Sequence, residues 1–284
     1  MLAHQRQALI LDAVREHGGV RVADLVERLG VSEMTIRRDI GELSREGLVT
    51  RVHGGAVSLA ARSSEEPGFA AKSTLQTEAK RAIAERAAEL VGPGASVALT
   101  AGTTTLELAQ RLREVPDLTV VTNSPRVADV LHDPGVGHCA PGRTVVLTGG
   151  VRTPSDALVG PIAALGLRGL HVDLLFVGVH GWDVRAGLTT PNLAEADTNR
   201  VFMQAASRVV VVADSSKWGV VGLTSFAALE AVDVIVTDTG LDETARELVG
   251  AVVGEVLLAQ LPGDRSRTRP QPSSLRQDDE GQGS

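Results

Sequence analysis

The residues best placed to do chemistry are short runs of glycines, hydroxyls and cations at the ends of apolar segments. Thr100-Ala101-Gly102-Thr103-Thr104-Thr105 follows the apolar run Ser96-Val97-Ala98-Leu99 and precedes a helical pattern of Leu106, Leu108, Ala109 and Leu112. A strand, a glycine turn and an opening helix present unpaired backbone N–H groups, and the hydroxyls of Thr103, Thr104 and Thr105 add donors, so this is an anion site. A lone Gly-Thr turn is equally an ordinary helix start. Its company strengthens the case, because four further apolar runs end the same way. Residues 118–121 lead into Thr122-Asn123-Ser124-Pro125, 145–147 into Thr148-Gly149-Gly150, 174–177 into Gly178, and 209–212 into Ala213-Asp214-Ser215-Ser216-Lys217. Ligands of open α/β sheets lie beyond the carboxyl ends of the strands. One pocket is therefore expected, bounded by Gly102, Thr103, Thr104, Thr105, Asn123, Ser124, Gly149 and Gly150.

Lysine is scarce: Lys72, Lys80 and Lys217 are the only three among 28 basic residues. A compact ammonium suits a phosphate in a tight site, where the wider arginine fork suits surfaces. Lys217 lies at a strand end. Lys80 opens a helical pattern with Ile83, Ala87 and Leu90, and reads as well as a surface lysine as a ligand contact. Glu195 follows Leu188-Thr189-Thr190-Pro191-Asn192 at the start of a helix with Val201, Phe202 and Ala205. It is either a first-turn carboxylate favoured by the helix dipole or a grip on sugar hydroxyls.

A second constellation lies near the N-terminus. Ser32 is a good N-cap for a helix whose Ile36, Ile40 and Leu43 face inward. At about 100° per residue, Arg38 points away from that face, with Thr35 and Arg37 beside it. Two guanidinium forks and a hydroxyl on one exposed helix suit duplex DNA, where arginine pairs with guanine or phosphate. Leu48-Val49-Thr50-Arg51-Val52 then reads as a strand leading into His53-Gly54-Gly55-Ala56, a short wing whose glycines allow close approach to a backbone. The plainer alternative is a three-helix adaptor with solvated arginines.

The elements that must position these residues fall into three segments and a tail. Residues 1–58 show helical stripes, Leu9, Ile10, Ala13, Val14 and then Val22, Leu25, Val26, Leu29, with Gly30 as a left-handed stop. Residues 59–72 are rich in Ala, Ser, Glu, Pro and Gly and read as a linker. Residues 73–261 alternate β-branched runs with amphipathic runs, the pattern of an α/β layer fold. The tail, 262–284, has almost no apolar residue and is expected to be disordered.

The head pattern resembles the N-terminal DNA-binding region of the DeoR family of bacterial transcriptional regulators. The resemblance is carried by Val31-Ser32, Thr35-Ile36-Arg37-Arg38-Asp39-Ile40 and Arg51 with His53-Gly54-Gly55-Ala56. It implies a winged helix-turn-helix with Ser32, Thr35, Arg37 and Arg38 on DNA and Gly54 and Gly55 in the wing. The body is similar to the family's sensor domain through Lys80 with Ile83-Ala84, Gly102-Thr103-Thr104, Val121-Thr122-Asn123-Ser124, Gly149-Gly150, Glu195-Ala196 and Ser216-Lys217. That resemblance implies a Rossmann-like fold similar to ribose-5-phosphate isomerase and a phosphorylated sugar as effector. Three positions depart from the pattern. Thr100 stands where an aspartate is common, and Trp182 and Trp218 stand where smaller or different residues are common and are expected to narrow the pocket.

The expected whole is an α+β two-domain protein: a winged helix-turn-helix and a sugar-phosphate sensor. Its partners would be double-stranded operator DNA, a phosphorylated sugar and further copies of itself as a homodimer or homotetramer, with no membrane and no cofactor. Most family members repress operons for carbohydrate uptake or catabolism, and ligand releases the DNA. The net charge of −7 falls outside the first 58 residues, whose eight arginines balance eight acidic side chains. A single cysteine, Cys139, excludes an internal disulfide and suits a cytoplasmic address. Two tryptophans, four phenylalanines and no tyrosine leave no stacking platform for unpaired bases. The enzymatic alternative, an isomerase tethered to a helix-turn-helix, has Glu195 as its one candidate proton carrier. No nucleophile elbow appears, and the seven histidines have no metal-ligand spacing. No catalytic or metal residue is therefore expected.

Overall fold

The structure, a computed structural model, describes residues 2–17, 19–46, 48–52, 54–58, 68–132 and 142–261. His53, most of the linker, Cys139 and the tail 262–284 lie outside them. The head consists of α1 (Ala3–His17), β1 (Gly19–Arg21), α2 (Val22–Leu29), α3 (Glu33–Arg45), β2 (Val49–Val52) and β3 (Gly55–Ser58). Its core is Ile10, Val14, Val22, Leu25, Ile36, Ile40 and Leu43 with Val49 and Ala56 of the wing. Gly30 caps α2 in the left-handed region at φ 64°, and the Ser32 hydroxyl accepts from the Thr35 N–H to open α3. Leu9, expected on the inward stripe of α1, is exposed. The rest of the expected stripe, Ile10, Ala13 and Val14, is buried.

The wing is a three-stranded antiparallel sheet in the order β1-β3-β2. The short strand β1 has no counterpart in the expected elements. It explains Gly55: a Cβ there would stand 2.0 Å from the Val20 carbonyl oxygen, so only glycine lets β1 close against β3.

The body begins with α4 (Phe69–Ser73), formed by the end of the segment expected as linker, and α5 (Thr77–Ala88). There follow β4 (Ser96–Leu99), α6 (Thr103–Arg111), β5 (Thr119–Thr122), α7 (Pro125–His132) and β6 (Thr144–Leu147). Next come β7 (Val151–Arg152), β8 (Leu158–Val159), α8 (Pro161–Leu167), β9 (Val172–Val177), β10 (Gly181–Asp183) and β11 (Gly187–Thr190). The chain ends its described part with α9 (Leu193–Ala205), β12 (Ala206–Val212), β13 (Thr224–Ala227), β14 (Val234–Asp238), α10 (Glu243–Gly250) and β15 (Glu255–Ala259).

Seven strands form one sheet in the order β15-β14-β12-β9-β4-β5-β6, every pairing parallel. Successive residues of a strand point to opposite faces, and both faces of the central strands are covered, which is why those strands read as unbroken β-branched runs. Leu174 and Phe176 of β9 pack with Ile83, Leu108 and Val127 of α5, α6 and α7 on one side. Leu175 and Val177 pack with Leu167, Phe202 and Val249 of α8, α9 and α10 on the other. From β4 the chain first builds β5 and β6 outward, then crosses back to β9 and builds the other half. The order therefore reverses between β4 and β9, and a crevice opens there beyond the carboxyl ends of the strands.

Helix α3 is anchored by a buried ion pair. The Arg6 guanidinium on α1 grips Asp39 of α3 with two hydrogen bonds of 2.5 and 3.0 Å, and both residues are buried. Removing one partner strands the other charge away from water. Asp39→Ala is expected to cost on the order of 3 kcal/mol, the lower end for a buried pair. In thermal melts, a chain carrying both Arg6→Met and Asp39→Leu should recover most of that loss.

Candidate functional site

Two surfaces carry the candidate residues. On the head, Arg37 and Arg38 project from α3 with side chains 47% and 80% exposed. Each is steered by a carboxylate four residues away, Arg37 by Glu33 at 2.6 Å and Arg38 by Glu42 at 3.3 Å. Such exposed helical pairs contribute a few tenths of a kcal/mol, too little to hold either guanidinium against a phosphate or base. Thr35 and Ser32 share a 2.8 Å hydroxyl contact at the start of the helix. Gly54, at φ 82°, turns the wing, and its carbonyl accepts from the Val22 N–H, tying the wing to α2. Asp39, which belongs to the same sequence motif, faces the core and positions these side chains from behind.

The second surface is the crevice at the reversal of strand order. It is a narrow cleft that opens to solvent, with about 50 Å³ of room inside. Its walls come from the ends of four central strands: Ala101–Thr104 after β4, Asn123 after β5, Gly178–His180 after β9 and Lys217 after β12. Glu195 and Asn199, one turn apart on α9, line it, as do Ser155, Ala157, Thr190 and Pro191. Phe69 and Lys72 of α4 complete it.

Helix α6 starts at this crevice, and no side chain caps its first turn because the N-cap is Gly102. The N–H groups of that turn point out of the helix end toward the crevice, beside the hydroxyls of Thr103 and Thr104. The Thr105 hydroxyl turns back to the Gly102 carbonyl at 3.0 Å and shapes the turn from behind. Asn123 braces the same turn: its Oδ1 accepts from the Ala101 N–H at 2.8 Å while its Nδ2 donates to Leu158 at 3.0 Å.

Facing this turn, the Lys217 ammonium donates to the Val179 carbonyl at 2.5 Å. Burial holds its pKa below the ordinary lysine range, with Asp214 partly offsetting that effect. Glu195 is not the cap of α9, a part taken by Asn192. Its two carboxylate oxygens accept from the hydroxyls of Thr153 and Thr190 at 2.9 and 3.0 Å.

The crevice thus gathers Gly102, Thr103, Thr104, Asn123, Glu195 and Lys217, and leaves five expected residues off its wall. Thr105 shapes the turn. Ser124 is buried and caps α7, its hydroxyl accepting from Val127 at 3.3 Å. Gly149 and Gly150 make the bend into the β7–β8 hairpin. At Gly150, with φ 124°, a Cβ would meet the Val159 carbonyl oxygen at 2.6 Å. Lys80 is neither at the surface nor on the wall. It is buried, donates to the carbonyls of Lys72 and Leu75, and is pushed down to about 8 by burial and then by the charge of Lys217.

The three unusual positions also resolve. The Thr100 hydroxyl accepts from the Gly178 N–H at 3.1 Å, fastening the end of β4 to the end of β9. Trp182 and Trp218 do not narrow the crevice. They pack edge to face, 4.9 Å apart, in the core of the body.

Sequence reasoning missed Phe69, Lys72, Ser155, Ala157, Val179, His180 and Asn199 as wall residues. Two signals were present. Lysine was rare enough to make Lys72 conspicuous, and Asn199 shares a helix face with Glu195. Among the described residues no group of His, Cys, Asp and Glu is arranged to hold a metal ion, and no helix is long and apolar enough to cross a membrane.

Comparison with known proteins agrees with this division. Residues 6–62 match the model of the DeoR-like helix-turn-helix domain, and residues 75–239 match that of the DeoR C terminal sensor domain. The HTH-type transcriptional regulator GlpR of Haloferax volcanii is 41% identical, over 87% of this chain and 94% of its own. A putative aga operon transcriptional repressor of Escherichia coli O157:H7 is 36% identical, over 89% and 93%. The transcriptional repressor AccR of Agrobacterium fabrum is 35% identical, over 83% and 89%. Among solved structures, a D-ribose-5-phosphate isomerase in complex with phospho-erythronic acid aligns with 49% of this chain and 52% of its own, at 16% identity and a TM-score of 0.35. That likeness is too distant to bear on function, and none of the three named relatives supports the isomerase alternative. With both halves matched and relatives aligned along most of its length, the chain belongs to the DeoR family of transcriptional regulators, which read DNA through a helix-turn-helix.

Proposed function

We propose that the chain represses an operon for carbohydrate uptake or catabolism and leaves its operator when a phosphorylated sugar fills the crevice. The observation that carries this reading is the uncapped first turn of α6 facing the half-buried Lys217 side chain. Backbone donors, two hydroxyls and a cation at one spot suit a phosphate, which carries a charge of about −1.5 to −2 at neutral pH. Glu195 and Asn199, on the α9 wall, suit the hydroxyls of a sugar attached to it. The names of two relatives, an aga operon repressor and the repressor AccR, favour repression over activation. The protein acts in the cytoplasm as a homodimer or homotetramer, since helix-turn-helix proteins read two half-sites through two-fold symmetry. On DNA, Arg37, Arg38, Thr35 and Ser32 enter the major groove while His53, Gly54 and Gly55 approach the backbone.

Thermal stabilisation by a panel of phosphorylated and free sugars tests the effector. A cognate sugar phosphate at a hundredfold excess over its dissociation constant should stabilise the fold by about 2.7 kcal/mol. Its dephosphorylated sugar should not, and Lys217→Ala should abolish the effect. Because burial lowers the Lys217 pKa, rising alkaline pH should remove its proton from the free protein before it would leave an ordinary lysine. An anion favours the charged form, so the stabilisation should shrink as pH rises. Lys80, at about 8, reinforces that trend. Stabilisation equal for phosphorylated and free sugars would rule out the phosphate site. On the DNA side, Arg38→Ala should weaken operator binding by about 1–3 kcal/mol, the worth of a bidentate base contact. An unchanged affinity in fluorescence anisotropy would remove Arg38 from the interface.

A further inference from the structure

We infer that helix α4 is part of the effector site: Lys72 is the second cation on the bound phosphate, and the segment leading back to the DNA-reading head is thereby tied to the ligand. The inference rests on the reading of the crevice as a phosphate site and adds to it the element that senses occupancy. Charge balance is its first support. A phosphate monoester carries up to two negative charges, and Lys217 supplies one positive charge. Among the described residues lining the crevice, Lys72 is the one other lysine or arginine. Lys80, the third lysine, is turned away and occupied with the carbonyls of Lys72 and Leu75.

The way α4 is held is the second support. It spans five residues, none of them buried, far short of the roughly 12–15 that a helix needs to stand by itself in water. It depends on tethers. The Phe69 N–H donates to Pro154 at 3.0 Å, and the Phe69 ring lies 4.4 Å beneath the Arg126 guanidinium. The Lys72 ammonium donates to the Ser155 hydroxyl at 2.9 Å, and Lys80 pins the carbonyls at the helix's far end. Ser155 also lines the crevice, so Lys72 already stands at its rim. Exchanging a neutral hydroxyl for a phosphate oxygen replaces an ordinary hydrogen bond by a charge-assisted one, roughly twice as strong. A ligand held by Lys217 and α6 on one side and by Lys72 on the other would draw α4 onto the body.

Connectivity is the third support. α4 is the first described element after the wing strand β3, so whatever fixes α4 fixes the body end of the connection to the head.

The test uses the full chain with inorganic phosphate as probe. It follows amide hydrogen exchange in residues 69–76 and 102–106, and affinity through the fluorescence of Trp182 and Trp218. Phosphate should slow exchange in both segments. Lys72→Met should weaken phosphate binding about tenfold, as expected for a lost hydrogen bond to a charged group. At saturating phosphate it should abolish the slowing at 69–76 while leaving that at 102–106, and Lys72→Arg should keep most of the affinity. Slowing confined to 102–106, with Lys72→Met binding as the unsubstituted chain does, would overturn the role of α4 and leave the phosphate site standing. Slowing in neither segment would overturn both.

Discussion

A helix that starts at the carboxyl end of a parallel strand leaves its first N–H groups unpaired at the sheet's rim, and the body of this protein is arranged around one such start. Between β4 and α6 there is room for a tight turn, and Gly102 supplies it without a side chain to cap the helix. The unpaired donors need an oxygen-rich partner. The strand order places this turn at the one reversal of the sheet, where the ends of β4 and β9 part and a ligand has room. Thr100 and Asn123 hold the turn from both sides, by hydrogen bonds accepted from the N–H groups of Gly178 and Ala101. Lys217 reaches the same place from β12. None of these side chains would meet without the reversal.

The head answers a similar requirement with other means. A recognition helix must show its cations to solvent, so its grip on the domain comes from the opposite face. Ile36, Ile40 and Leu43 supply the apolar part of that grip. Asp39, clasped by Arg6, supplies a directional part. Two arginines outside and one aspartate inside are thus one device: the buried carboxylate fixes the helix that carries the exposed guanidiniums.

Much of this was legible in the sequence, for physical reasons. Parallel strands buried on both faces read as continuous Val and Leu runs, so β4, β5, β9 and β12 stand out at once. Ser32 and Gly30 announce the boundaries of α3 and α2 through capping chemistry that is local. What stayed hidden depends on tertiary partners. Strand β1 has three residues and exists because β3 lies beside it. Helix α4 has no apolar stripe, and its Ala, Ser and Gly surroundings read as linker until Pro154 and Ser155 are seen to hold it. Lys80 looked like a ligand contact or a surface residue and is instead a buried clamp on the backbone. Spacing showed the scarcity of lysine but not where each ammonium points. Trp182 and Trp218, far apart along the strands and loops, gave no sign that they pack on each other.

A repressor released by its ligand must bind that ligand and its operator at each other's expense. The factor is the same in both directions, because linkage is reciprocal. The most direct measurement is therefore the affinity of the sugar phosphate that best stabilises the chain, determined by calorimetric titration once with free protein and once with operator-saturated protein. The account requires weaker binding to the operator complex, by the same factor with which the sugar phosphate weakens operator affinity. Equal affinity in the two titrations would contradict it: the crevice would then bind its ligand without any bearing on the head's hold on DNA.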